Sequence, residues 1–362
     1  MAYDQVASVL TGATDAARAA TGTAPQSPRA RVHTVRAIGL IISAGVLGVI
    51  FLLSIWLGSK DIAFTATWDV LWHNDGSQDA LIIHAYRIPR TLLGVLVGAA
   101  LGVSGALMQA LTRNALADPG LLGVNMGAST GVVAGLTVFG VSSVLGYVWF
   151  AFAGAALAAV AVYALGSTGR GVATPERLVL AGAALTAVLY AIDTAALLMD
   201  PEAFDEFRFW NVGSLAGRYY EVLLPVLPFI VVGLAIALLL ARPLNAMAMG
   251  EAMGQALGVR PGRVRLLGAI AVTLLCGAAT AAAGPVAFVG LAVPHIARLI
   301  VGPDQRWVLV YSLVLSPILL VGSDVVGRMI APPSEVQVGI VTAAIGVPVF
   351  VALCRQRKLV GL

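Results

Sequence analysis

The sequence predicts an all-α polytopic membrane protein, and three observations carry that reading. Apolar runs of about 20 residues recur along the whole length, each enough to cross roughly 30 Å of hydrocarbon as a helix. Of the 362 residues, 59% are hydrophobic and only 11% are charged, with a mean hydropathy of +0.93; a soluble domain of that size needs far more charge at its surface. The runs are continuous rather than alternating, which excludes a transmembrane β-barrel. The 40 glycines suit helices whose backbones touch inside a bilayer.

Taken in order, residues 1–36 are Ala/Thr-rich, carry Arg18, Arg29, Arg31 and Arg36, and include Pro25 and Pro28. That composition reads as a flexible cytoplasmic tail. It does not read as a signal peptide, because the apolar run starts only near Ala37. Residues 37–362 form the transmembrane domain, with spans near 38–57, 91–111, 121–140, 143–166, 177–199, 221–241, 265–283, 286–300, 307–325 and 337–354. That makes about ten transmembrane helices. The eighth is short and interrupted by Pro294 and His295.

The loops set the orientation. Gly58 to Tyr86 holds Asp61, Asp69, Asp75 and Asp79 but only Lys60 as a cation. Lys60, Arg87, Arg90, Arg208, Arg218 and Arg328 fall opposite the N-terminal tail and are the minority of the 22 basic residues. The positive-inside rule therefore puts both termini in the cytoplasm, and an even number of spans follows. The net charge of +4 reports this orientation and is no nucleic-acid signal.

A weak echo links Arg90-Thr91-Leu92-Leu93-Gly94 to Arg265-Leu266-Leu267-Gly268. Each opens a Gly/Ala-rich helix that ends in a Pro/Gly turn, at Asp118-Pro119-Gly120 and Gly284-Pro285. Five spans separate them, so a true repeat would be inverted in the membrane, as in many transporters; chance resemblance is the alternative.

The loop 242–265 stands out between two apolar runs. Asn245 can cap a short helix and Gly258 can end one, with Arg260, Arg263 and Arg265 following. Met249, Met253, Ala256 and Leu257 share one helical face. Such a helix suits a groove on a partner protein, or it lies on lipid headgroups, held by its arginines.

Other polar residues carry two readings each. Arg87-Ile88-Pro89-Arg90 places two arginines on the side where positive-inside statistics disfavour them, so an acidic partner or lipid phosphate is required. Asp324 and Arg328 can pair at i, i+4; left free, Arg328 adds a third cation to that face. Gln109, Asn114 and Asn125 either bond between helices or line a pathway. Asp193 is the one carboxylate well inside a span, a candidate pathway residue. Trp210, with Phe209, Tyr219 and Tyr220, belongs to an interfacial belt or shapes the mouth of a pathway.

Catalysis finds no support. Lys60 and Lys358 are the only lysines, and neither sits in a Walker A loop. No HExxH occurs. His295 has no second ligand nearby, and Cys276 and Cys354 read as buried apolar residues, so no metal and no cofactor are expected.

As a set, several motifs resemble the FecCD (vitamin B12/siderophore) family of ATP-binding-cassette importer permeases. They are Arg87-Ile88-Pro89-Arg90 with Gly105 to Ala110; Asn114 to Gly123; Trp210-Asn211-Val212-Gly213-Ser214-Leu215; Leu244 to Val259; Gly284 to Leu291 with Pro294-His295; and Asp324 to Arg328 with Glu335 to Val341. Ala115 departs from the family's usual proline. The resemblance implies a ten-helix type II importer fold in the plasma membrane, paired with a second permease subunit around a central path. It implies that the short helix docks on a separate ATPase subunit, with Glu251, Leu257, Gly258 and Arg260 at matched positions beside the face residues Met249 and Met253. It implies that Arg87, Arg90 and Arg328 meet acids on an extracytoplasmic substrate-binding protein. Gln109, Asn125, Asp193 and Trp210 are then the pathway candidates. The expected activity is import of a ferric siderophore, with cobalamin or haem as alternatives. A more distant rival, an ion-coupled secondary transporter, would need intramembrane acids, and only Asp193 qualifies.

Overall fold

The computed structural model describes residues 28–73, 75–141, 143–167, 175–332 and 334–355. Arg18, Arg170, Arg357 and Lys358 lie outside the described residues, as do the side chains of Arg29, Arg31 and Cys354. The chain divides into two compact units, residues 1–41 and 42–362. In the first, the described part is the opening of helix α1 (Pro28–Trp56). The helix thus begins before the apolar run, overlapping residues 28–36 of the expected tail. Proline is tolerated in a first turn, where its missing N–H costs nothing, and arginine is a good helix former.

The larger unit is all-helical, with no strand among the described residues. After α1 come α2 (Phe64–Trp72), α3 (Gln78–Leu81) and a π-helical segment, Ile82–Arg87, that runs into α4 (Ile88–Thr112). A 3-10 turn at Pro119–Leu122 precedes α5 (Val124–Thr137), followed by α6 (Val144–Ser167), α7 (Pro175–Met199) and α8 (Pro201–Asn211). Then follow α9 (Tyr220–Ala248), α10 (Glu251–Ala256), α11 (Pro261–Ala283), α12 (Val289–Val301), α13 (Gln305–Ile330) and α14 (Val338–Arg355).

Helix α4 is the axis of this unit. It packs against α9, α11, α12 and α13, and nearly all its residues from Thr91 to Gln109 are buried. The reason lies in its small residues. Gly94, Gly98 and Gly102 recur at every fourth position and so share a face. A Cβ on Gly98 would sit 2.7 Å from the Pro317 Cα, and one on Gly102 would strike Ser316. Two backbones come together there without side chains between them, as membrane helices do. A second group, α5 to α7, packs mutually, and α6 also touches α11.

Among the described residues, seven helices are long and apolar enough to cross a bilayer, where the sequence suggested about ten spans. The shortfall has a physical cause. The run read as 121–140 is broken at Gly123, whose φ of 70° is left-handed, and α5 keeps only 14 residues. At 1.5 Å per residue that is about 21 Å, short of the hydrocarbon thickness. Val289–Val301 and Val338–Ala352 are likewise apolar but short. The two halves that echo in sequence share an element order. The 25-residue α4 leads to the 14-residue α5, and the 23-residue α11 leads to the 13-residue α12.

Candidate functional site

Three arginines converge where α1 ends. A helix leaves its last four carbonyls without intrahelical partners and carries partial negative charge there. Arg87, at the close of the π-helical segment, donates to the carbonyls of Ile55 (3.0 Å) and Lys60 (2.5 Å), and to that of Trp56. Arg328, in the last turn of α13, donates to the carbonyls of Ser54 (2.9 Å) and Leu57 (3.0 Å) and to Ser54 Oγ (2.6 Å). The terminal carbonyls from Ser54 to Leu57 are therefore taken up by two guanidinium groups. Gly58 leaves room beside them, since a Cβ there would lie 2.6 Å from Arg87 Nη2 and displace that guanidinium.

Arg90 completes the cluster. Its Nε and Nη2 grip Asp324 at 3.0 and 2.8 Å, and its Nη1 reaches Glu335 Oε2 at 2.7 Å. Asp324 also pairs with Arg328 at 3.1 Å, the i, i+4 contact expected from spacing. Planar guanidinium matches a carboxylate bidentately, and such charge-assisted bonds are the strong ones. Arg87 and Arg328 are only 5% and 2% exposed, so they are internal groups in this conformation and Arg328 is not a free cation. A cavity of about 410 Å³ opens over the cluster, lined also by Lys60, Tyr86, Arg218, Tyr219 and Glu335. Sequence reasoning missed Ser54 and Arg218 as members. Arg218 donates to the Tyr147 hydroxyl at 2.9 Å.

The loop between α9 and α11 does contain a short helix, but its frame differs from expectation. Asn245 does not cap it: α9 runs on to Ala248, and the Asn245 side chain bonds Asp304 (2.6 Å) and accepts from the Gln305 amide (2.8 Å). The helix α10 starts instead after Gly250, whose φ of 115° is open only to glycine, and ends toward Gly258 at φ 83°. Glu251 holds Arg265 at 3.0 Å, tying α10 to α11. Arg113 donates to the Met247 carbonyl at 2.5 Å, tying the end of α9 to α4. Gly254 is the buried point of contact. Met249, Met253 and Leu257 are each more than half exposed, and Arg260 is exposed too. The helix is thus fixed at its ends; Met249 falls before the Gly250 break, at the end of α9, and so does not share the expected helical face, while Met253 on α10 and Leu257 at its end stand uncovered within this chain.

The interior polar residues do not come together. Gln109, fully buried, donates to the carbonyls of Gly290 and Leu291 and accepts from Arg298, joining α4 to α12. Asn125 accepts from Thr280 Oγ1 at 2.9 Å, joining α5 to α11. Asp193, on α7, accepts from Ser129 Oγ at 2.9 Å, while its other oxygen has no partner. Trp210 is buried beside Phe207, its indole N–H unpartnered. For Gln109 and Asn125 these are helix-to-helix contacts, one of the two readings weighed from sequence, whereas Phe207 and Trp210 both lie on α8.

The fold defines a class: a helical protein with several helices long and apolar enough to cross a membrane. Residues 46–356 match the model of the FecCD transport family, and the chain belongs to that family. The ferric enterobactin transport system permease protein FepD of Escherichia coli (strain K12) is 46% identical over 309 residues, covering 85% of this chain and 92% of that protein. The probable siderophore transport system permease protein YfiZ of Bacillus subtilis (strain 168) is 43% identical over 282 residues, 78% of this chain and 85% of the relative. A solved chain described as an inward-facing metal-chelate type ABC transporter superposes with a TM-score of 0.79 at 25% identity, covering 88% of this chain and 98% of its own.

Proposed function

We propose that this chain is the permease subunit of an ATP-binding-cassette importer that carries a ferric siderophore across the plasma membrane. The observation that carries the cargo is the 46% identity, over nearly the full length, to a ferric enterobactin permease. Cobalamin or haem is the alternative within the family. In this reading the seven long helices and the shorter α5, α12 and α14 make ten membrane helices, with both termini cytoplasmic. Two permease subunits enclose the path.

The energy comes from a separate ATPase subunit seated on α10. Met249, Met253 and Leu257 supply an apolar anchor of the kind that carries interface energy. Glu251, Gly258 and Arg260 hold the frame around it. Because α10 is tied to α11 and the end of α9 to α4, a push on it moves the central helices and shifts the balance between two conformations. At the opposite end the substrate-binding protein meets the cavity over Arg87, Arg90 and Arg328. Their net positive charge attracts acidic side chains. Gln109, Asn125, Asp193 and Trp210 serve the pathway by bracing the helices that wall it.

The test is uptake by the purified complex in vesicles. ATP inside the partner compartment should drive accumulation of a ferric siderophore. Accumulation driven by a pH or sodium gradient alone, with no nucleotide, would overturn the proposal.

A further inference from the structure

The helix α2 (Phe64–Trp72) divides its surface three ways. Thr67 and Val70 are buried, and Val70 belongs to a small apolar core with Ile55, Ile62, Ala80 and Ile83. Asp69 and His73 stand out in solvent, 3.6 Å apart. The third face is aromatic. Phe64, Trp68 and Trp72 fall at i, i+4 and i+8, so they line one side of the helix. They are 58%, 49% and 68% exposed.

An uncovered stripe of three aromatic rings needs an occupant. It is continuous with the apolar surface of α1, where Val46, Val49 and Leu52 are exposed along a membrane-crossing helix. Trp56 makes the joint. Its ring meets Phe64 edge-on at 5.3 Å, and its indole N–H donates to the Ile62 carbonyl at 3.2 Å. The helix is also pinned from below, where the His84 ring bonds the Val70 carbonyl at 3.0 Å. Rings with an apolar body and a polar edge settle at the headgroup level of a bilayer. We propose that α2 is an interfacial anchor, lying in the plane of the membrane surface at the end of α1, with Phe64, Trp68 and Trp72 inserted among the lipid headgroups.

The helix carries no lysine or arginine and has Asp69 on its wet face. Its attachment is therefore through ring insertion and is insensitive to ionic strength, unlike a basic surface helix. The anchor fixes the height of the neighbouring arginine cluster, because Arg87 holds the Lys60 carbonyl at the root of the same loop.

Tryptophan fluorescence of the intact importer in phosphatidylcholine vesicles tests this. The contribution of α2 is the difference between the protein and its Trp68→Phe/Trp72→Phe variant. That difference should be lost when the lipid is brominated near the glycerol, should survive bromine at the chain ends, and should resist quenching by acrylamide at low and high salt alike. Strong acrylamide quenching with no effect of brominated lipid would overturn the proposal. So would acrylamide quenching relieved only when the substrate-binding protein is added, since the stripe would then be a protein-docking face.

Discussion

Arg328 and Ser54, 274 positions apart, are joined at two points: one guanidinium nitrogen meets the serine carbonyl and the other its hydroxyl. Ser54 Oγ also meets Thr91 Oγ1 at 2.7 Å. Three helices, α1, α4 and α13, are thereby locked at one buried point. Ser54→Ala should lower stability by about 1 kcal/mol, the usual worth of one such bond. Arg328→Lys should do worse, because an ammonium cannot span the Ser54 carbonyl, the Leu57 carbonyl and Asp324 together. Thermal unfolding in detergent reads both, and equal midpoints for all three proteins would refute the lock.

Among the described residues, Asp324 is the one carboxylate in ion-pair contact with both Arg90 and Arg328. Removing one member of a buried ion network strands the others. Asp324→Ala should therefore cost about 3–5 kcal/mol, seen as poor yield and a lowered melting temperature. Glu335 is a quarter exposed, so Glu335→Gln should cost less, about 1 kcal/mol once solvent screening is counted. A reversed order would mean that Glu335, not Asp324, holds the cluster.

On the other surface, Met253→Glu with Leu257→Glu should leave the melting temperature nearly unchanged, since both side chains are exposed. Co-purification of the ATPase subunit should fall, with a loss above about 1 kcal/mol of association for each anchor residue removed. Unchanged co-purification would detach α10 from the ATPase.

Asp193 separates an ATP-driven importer from an ion-coupled one. Its partners are neutral hydroxyls such as Ser129, so Asp193→Asn should change stability by about 1 kcal/mol or less. ATP-driven uptake should persist in that variant. Abolished uptake by a folded variant would give the acid a coupling role.

Gly98 tests the central contact. Gly98→Val places carbon against the Pro317 backbone, which cannot move as a side chain can. The cost should reach or exceed the roughly 1–3 kcal/mol of ordinary overpacking. A variant of native stability would show that α4 and α13 have room to separate.

Much of this architecture was legible because hydrophobic length is a strong signal. Every sequence-read span has a helix at its place, and the family motifs fell where α4, α10 and the arginine cluster lie. What escaped depended on partners distant in sequence. Spacing could pair Asp324 with Arg328, but nothing in spacing tells that the ends of α1 and α13 meet, so Arg87 and Arg90 read as outward-facing cations. Asn245 looked like a cap because a capping residue is a local signal. Its real partners, Asp304 and Gln305, come from the start of α13. The shortness of α5 escaped because apolar composition runs past Gly123, whereas the helix begins only after that residue's left-handed turn.

The sealing of α1 by Arg87 and Arg328 has a consequence for how the molecule is made. Helix α1 leaves the ribosome ahead of α13 with its far carbonyls bare, and one of the two side chains that cover them is synthesised 274 residues later. Biogenesis thus includes a closing step, in which the later α13 arrives at the earlier α1. A nascent chain cut short before Arg328 should leave Gly58 open to water-borne probes that the finished protein excludes.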